Sequence, residues 1–230
     1  MTAAPDLRVE LALADAGAGL VIGCDEVGRG AIAGPVAVGV VAVDPRDGGM
    51  PDGLRDSKLL TERRREAMVD AVAAWGVARA VGLADADEVD RLGIVAALGL
   101  AGRRALAEIA LLVADGSPVV LLDGAHDWLA PALRADPLPS LPRLGVAVRV
   151  KADRDCAAVA AASVLAKVHR DRLMIAADER TPGYGWAGNK GYGSAGHFEA
   201  IRALGATAQH RRTWLKSVSG DVDPALGVAL

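Results

Sequence analysis

Apolar residues recur along this chain with two periods. Short runs dominated by Val and bounded by Gly, Pro or Asp read as strands: Leu20 to Cys24, Pro35 to Val43, Ala78 to Leu83, Val119 to Leu122 and Val146 to Val150. Segments with apolar positions three and four apart read as helices. One begins at Thr61, a good N-cap, with Met68, Val69 and Val72 as its apolar positions. A second runs from Asp85 to Ile109, capped by Asp85 or Asp87, with Ile94, Leu98, Ala101 and Leu106 on one stripe. A third, Ala157 to Ala177, is small and apolar first and charged later, and a short one covers His197 to Leu204. Residues 44–56, 124–143 and 181–196 read as loops rich in Gly, Pro or Asp. Residues 1–18 are rich in Ala, Gly and Asp and are expected to be poorly ordered or weakly docked. Past Gly220 there is no clear periodicity, and the chain has no internal repeat.

The first two strands are close enough in sequence to be antiparallel neighbours. The element order predicts an α/β protein, with a central mixed β-sheet flanked by helices. The length of 230 residues is enough for a full core. Although 52% of residues are hydrophobic, no apolar run of about 18 residues is free of charges and breakers, so no spanning helix is expected. No secretory signal is read at the N-terminus. Cys24 and Cys156 are too few for a disulfide framework, and a reducing cytoplasm is the simplest compartment. Aromatics make up only 3%, which argues against a stacking platform for single strands.

The net charge of -3 hides an asymmetry. Residues 1–140 carry 13 Lys and Arg against 21 Asp and Glu, whereas residues 141–220 carry 13 against 6. A basic C-terminal third on an acidic chain suits either a polyanion-binding face or ordinary solvated charge.

Acids at strand ends change the picture most. Asp25 and Glu26 follow one apolar strand, Asp123 follows another, and Asp153 comes just after a third. Strand ends are where α/β proteins build sites. Adjacent strand residues face opposite sides, so Asp25 and Glu26 share a site only if the strand ends or bulges there. Each acid also suits a turn or a helix cap. Gathered together they would need a cation, and oxygen ligands without His or Cys favour Mg²⁺ or Mn²⁺ over zinc. Two such ions suit in-line displacement at phosphorus. Gly28, Gly30 and Ala33 also fit a dinucleotide-binding fingerprint, but that motif needs a helix next, and here a Val-rich strand follows. A nest of backbone N–H groups offered to a phosphate or hydroxyl is the better use of these glycines.

These residues, in order, resemble the type 2 ribonuclease H family. Cys24-Asp25-Glu26-Val27-Gly28-Arg29-Gly30 with Ala33-Gly34-Pro35-Val36 resembles its N-terminal signature. Asp56-Ser57-Lys58 with Leu60-Thr61, then Leu122-Asp123-Gly124, continue the match. Lys151-Ala152-Asp153, Ala160 to Ser163, Ala166-Lys167-Val168 and Arg170-Asp171 resemble its long-helix block. Gly183-Tyr184-Gly185, Asn189-Lys190-Gly191-Tyr192-Gly193 and His210-Arg211-Arg212 complete the series. Val27 and Asn189 depart from the usual Ala and His.

The resemblance implies a ribonuclease H-like fold with a helical C-terminal portion. Its catalytic domain would span 19–218, between the segment 1–18 and a tail 219–230. It implies metal-binding catalytic carboxylates at Asp25, Glu26, Asp123 and Asp153, with Asp155 and Asp171 as rivals for the fourth place. Two divalent ions, Mg²⁺ or Mn²⁺, would bind there. The implied activity is hydrolysis of the RNA strand of RNA/DNA hybrids and incision 5′ of single ribonucleotides in duplex DNA, leaving 3′-hydroxyl and 5′-phosphate ends. That is a task of DNA replication and ribonucleotide excision repair. Gly28, Arg29, Gly30 and Tyr192 would read the 2′-hydroxyl at the junction. Lys58, Ser163, Lys167 and Lys190 are candidate phosphate contacts, with Ser163 equally suited to close helix packing. Arg211 and Arg212 suit a phosphate or a structural role equally. No His has ligand spacing. A monomer with no membrane partner is expected. The alternative is a non-catalytic hybrid-binding protein of the same fold.

Overall fold

The computed structural model describes residues 4–142 and 144–215. Five strands form one sheet: β1 (Val21–Val27), β2 (Val36–Val43), β3 (Ala78–Ala84), β4 (Val119–Asp123) and β5 (Gly145–Arg149). The helices are α1 (Arg8–Asp15), α2 (Glu62–Trp75), α3 (Ala86–Leu92), α4 (Ile94–Val113), α5 (Leu129–Ala135), α6 (Ala152–Asp155), α7 (Ala157–Arg180), α8 (Trp186–Asn189) and α9 (Ala195–Leu204). The strand order is β3-β2-β1-β4-β5. β1 pairs antiparallel with β2 and parallel with β4, and β2 with β3 and β4 with β5 follow the same division. This is the expected mixed sheet.

Helices cover both faces. Ile22, Cys24, Val38 and Val40 pack with Leu98, Ala101 and Leu106 of α4. Val21, Val41 and Leu121 pack with the alanines of α7 on the other side. All eight residues of β2 are buried, as a strand covered on both faces requires. The small residues set the layer spacing. A Cβ on Gly23 would fall 2.1 Å from the carbonyl carbon of Ala158, and one on Gly39 would fall 2.4 Å from the Ala162 oxygen. α7 therefore lies directly on the backbones of β1 and β2.

Several boundaries differ from the sequence reading. Thr61 caps α2 as expected. The long helix predicted over 85–109 is two helices. Asp85 and Glu88 form a capping box for α3, and Gly93, at φ +77°, breaks it from α4. The Pro-rich connection 124–143 contains α5, whose first amides bond to Asp127 Oδ1. Its proline, Pro131, sits in the first turn, where a missing N–H does no harm. The predicted loop 181–196 contains the single turn α8.

The N-terminal segment also departs from expectation. Instead of being weakly docked, α1 crosses the start of α7. Glu10 is fully buried, and its Oε1 accepts a 2.8 Å hydrogen bond from Ala158 N. Asp6 pairs with Cys156 as a short parallel bridge. Low sequence periodicity hid this docking, because one buried acid anchors the helix. The tail after Gly220 lies outside the described residues. Among the described residues no helix is long and apolar enough to cross a membrane.

Candidate active site

β1 does not end or bulge at Cys24. It runs in regular register to Val27, with Asp25 opposite Gly39, Glu26 opposite Val38 and Val27 opposite Ala37. Cys24 lies in the core against α4, while Gly23 meets α7. Alternation then places Asp25 on the α7 side and Glu26 on the α4 side, but β1 ends at Val27, so both acids stand at the sheet edge, where both feel the charge of Asp123. Asp25 and Asp123 lie one step beyond the last β1–β4 pair, Cys24 and Leu122, and so are level on adjacent strands. Asp153 sits in α6, and its N–H reaches Asp123 Oδ1 at 3.3 Å.

The acids feel one another. Burial pushes the Asp25 carboxyl well above its ordinary range, and the charges of Glu26, Asp123 and Asp153 add to the effect. Burial also raises Glu26, against the pull of Arg29, and raises Asp123, with Asp153 adding. Lys58 partly answers this charge. Its Nζ lies 3.0 Å from Asp153 Oδ2. Burial works against that ammonium, but the hydrogen bond and the charges of Asp153, Asp25 and Asp56 outweigh it and raise its pKa. Asp56 holds the turn by accepting from Lys58 N at 3.0 Å.

The glycine loop adjoins the acids. Arg29 pairs with Glu26 at 3.5 Å. Gly28, at φ +82°, has no room for a side chain, because a Cβ would fall 2.1 Å from Arg170 Nε. A Cβ on Gly30 would meet nothing within 4 Å, so that side is open. Tyr192 is 38% exposed, and the Arg170 guanidinium carbon stands 5.5 Å from its ring centroid. Asn189 closes the turn before it, accepting from Gly191 N and donating to Tyr184 O. Tyr184, the other tyrosine of this region, is buried and bonds to Gly205 O.

The predicted phosphate contacts divide. Lys58 stands at the acids. Ser163 is buried, and its Oγ donates to Ala160 O and accepts from Ser57 N, so it ties α7 to the Asp56–Lys58 turn and is not placed to meet a phosphate. Lys167 is bound to Asp171 at 2.6 Å within α7, whereas Asp153 is the acid whose charge reaches Asp25 and Asp123. The Lys190 ammonium bonds to Ala187 O. Arg211 is fully buried and bonds to the carbonyls of Gly28, Arg29 and Gly34, which decides for the structural of its two expected roles. Sequence reading assigned no part to Arg170 or to the buried His197–His210 pair. The only hint was that Arg170 and His210 fall within family-like motifs.

The donor set suits hard divalent cations: carboxylate oxygens only, three of them raised by burial and mutual repulsion. As the side chains stand, no group of three or more His, Cys, Asp or Glu among the described residues is arranged to hold an ion.

Comparison with known proteins gives the same direction. The family model described as Ribonuclease HII matches residues 22–217. A Ribonuclease HII from Thermus thermophilus is 47% identical over 194 residues, covering 84% of this chain and 85% of the relative. One from Rhodococcus opacus is 45% identical, covering 90% and 84%. Among solved structures, the PCNA:RNase HII complex from Archaeoglobus fulgidus matches with a TM-score of 0.62 at 25% identity, covering 85% of this chain and 95% of that one. Bst-RNase HIII in complex with Mn²⁺ matches with a TM-score of 0.66 at 25% identity, covering 85% and 66%. A match across nearly the whole described sheet, shared with relatives at this identity, means that the chain belongs to the ribonuclease HII family and is a ribonuclease H endonuclease acting on RNA/DNA hybrids.

Proposed function

We propose that this endonuclease also incises 5′ of single ribonucleotides embedded in duplex DNA, leaving 3′-hydroxyl and 5′-phosphate ends. Asp25, Glu26, Asp123 and Asp153 would hold two divalent ions, Mg²⁺ or Mn²⁺. The observation that carries the reading is the Glu26–Arg29 contact at 3.5 Å, which ties one of the acids to the open glycine loop. A nuclease that must find one 2′-hydroxyl in a long duplex needs that adjacency, because the hydroxyl is what separates RNA from DNA.

The roles follow from position. The backbone of Gly28, Arg29 and Gly30 meets the sugar-phosphate unit of the ribonucleotide. The Tyr192 ring packs on the ribose, with its hydroxyl toward the 2′-oxygen. Lys58 approaches the phosphate backbone beside the acids. Bound divalent ions would supply the Lewis acidity that polarises the scissile phosphate and an attacking water. The acids neutralise that charge and set its place. The working unit is a monomeric catalytic domain over 19–218, acting in the cytoplasm during replication and ribonucleotide excision repair.

The test uses a labelled DNA duplex carrying one ribonucleotide, incubated with Mg²⁺, Mn²⁺ or chelator beside an all-DNA control. A metal-dependent cut 5′ of the ribonucleotide, with the control intact, is the expected result. A duplex left whole while a continuous hybrid is cut would overturn the junction reading.

A further inference from the structure

Two guanidinium ions lie fully buried beneath the reading loops. Arg170 and Arg211 are among the largest side chains with no exposure to solvent. Their hydrogen bonds go to backbone carbonyls. Arg170 donates to Pro35 O at 2.8 Å, Ala33 O at 3.0 Å and Lys190 O at 2.8 Å. Arg211 donates to Gly28 O at 2.8 Å, Arg29 O at 3.0 Å and Gly34 O at 3.1 Å. Their charges also oppose each other: burial and then Arg170 pull Arg211 down to about 10. A buried cation whose hydrogen bonds all go to carbonyl dipoles is costly to keep. A purely apolar plug would fill the space at less cost, so the hydrogen-bond pattern is what the arginines contribute.

That pattern has a geometric consequence. The chain has no cis peptides among the described residues, and in a trans peptide the C=O and the following N–H point opposite ways. Drawing Gly28 O inward turns the Arg29 N–H outward, and drawing Arg29 O inward does the same for Gly30 N–H. Among the described residues no hydrogen bond reaches either N–H. Arg29 and Gly30 are both exposed, and a Cβ on Gly30 would meet nothing within 4 Å. Through Lys190 O and the Tyr192 ring, the same Arg170 also grips the second loop. Arg211 is braced in turn by the Trp214 ring, 5.1 Å from its guanidinium carbon.

We propose that Arg170 and Arg211 are positioning residues that pull the carbonyls of both loops inward, so that the Arg29 and Gly30 N–H groups and the Tyr192 ring face one ribonucleotide. This rests on the junction reading above. Neither arginine touches substrate. The N–H groups would donate to oxygens of the ribose-phosphate unit. Lysine cannot replace either residue, because one ammonium does not span three carbonyls held by a planar fork.

Arg170→Lys and Arg211→Lys keep the charge and lose the fork. For each, KM on the single-ribonucleotide duplex is expected to rise by about tenfold or more while kcat changes by less than about threefold. Folding is checked by circular dichroism. A second readout uses the wild-type protein alone: amide exchange at Arg29 and Gly30, fast in the free protein and slowed at least about tenfold by the duplex bound in chelator. Should the variants fail to fold, that exchange measurement decides. KM within about twofold in folded variants, or amides already protected in the free protein, would overturn the assignment. If wild type binds all-DNA and ribonucleotide duplexes equally, the junction reading falls first, and the positioning role falls with it.

Discussion

At the residue scale the acids and the buried imidazoles behave oppositely. Burial, and then the charge of Asp153, raises the Asp123 pKa, so Asp123→Asn removes a buried charge and its repulsion along with one of the proposed metal-binding oxygens. Cleavage of an RNA/DNA hybrid is expected to fall by about 10³-fold or more, with thermal stability unchanged or higher. A gel assay and a melting curve on the same preparation check both, and full activity would remove Asp123 from the site. His197 and His210 are held neutral by a closed set of bonds. His197 Nδ1 donates to Tyr192 O at 2.9 Å, while its Nε2 accepts from Trp186 Nε1 at 3.0 Å and faces His210 Nε2 at 3.2 Å. His210 Nδ1 accepts from Thr207 N at 2.9 Å. Burial, then the neighbouring His197, pulls His210 down to about 4, and burial lowers His197 as well. The unfolded chain therefore binds these protons more tightly, and this contribution to stability is full above about pH 6.5 and is lost as pH falls toward 4, by up to about 1.4 kcal/mol per pH unit for one group. Urea unfolding from pH 4.5 to 7.5 should show the gap between wild type and His210→Gln narrowing with acid. A gap that stays constant would exclude the pair as its source.

At the element scale, α7 is placed by what is missing beneath it. Gly23→Ala would drive a methyl into the Ala158 backbone, 2.1 Å away, and a helix backbone cannot yield as a side chain does. A loss of about 3 kcal/mol or more is expected, measured by urea denaturation. Gly196→Ala in α9 is the control. A Cβ there meets nothing within 4 Å, so stability should hold or rise by about 0.5–1 kcal/mol. The same end of α7 is tied by Glu10, whose Oε2 has no hydrogen-bond partner among the described residues although its Oε1 caps Ala158 N. Glu10→Ala should cost about 1 kcal/mol and speed amide exchange over Arg8–Asp15. Unchanged exchange there would mean that α1 is held by its apolar contacts instead.

At the scale of the whole molecule, the charge asymmetry is less of a surface feature than its count implies. Two of the 13 basic residues in 141–220 are the buried Arg170 and Arg211, and Lys167 is bound to Asp171. Electrostatic attraction to a duplex then depends on fewer cations. Lys58→Ala should reduce the slope of log affinity against log salt by about one phosphate contact, whereas Lys167→Ala should leave the slope unchanged. Anisotropy titrations across a salt series separate the two. Equal slopes for wild type and Lys58→Ala would take Lys58 off the phosphate path.

The sequence by itself determined the fold class, the strands, most helices, the strand-end acids and the family. Those are local properties: apolar periodicity, caps and short ordered motifs are set by residues a few positions apart. The tertiary structure alone decided that β1 runs past Asp25 and Glu26 without a bulge, that Ser163 faces inward, and that Glu10 docks α1. It also decided that Arg170 and Arg211 bind the glycine loop from beneath. Each of the last four joins positions more than a hundred residues apart, 137 for Arg170 to Ala33 and 183 for Arg211 to Gly28. No local pattern encodes such a contact, because its energy depends on which surfaces the packed sheet and helices bring together.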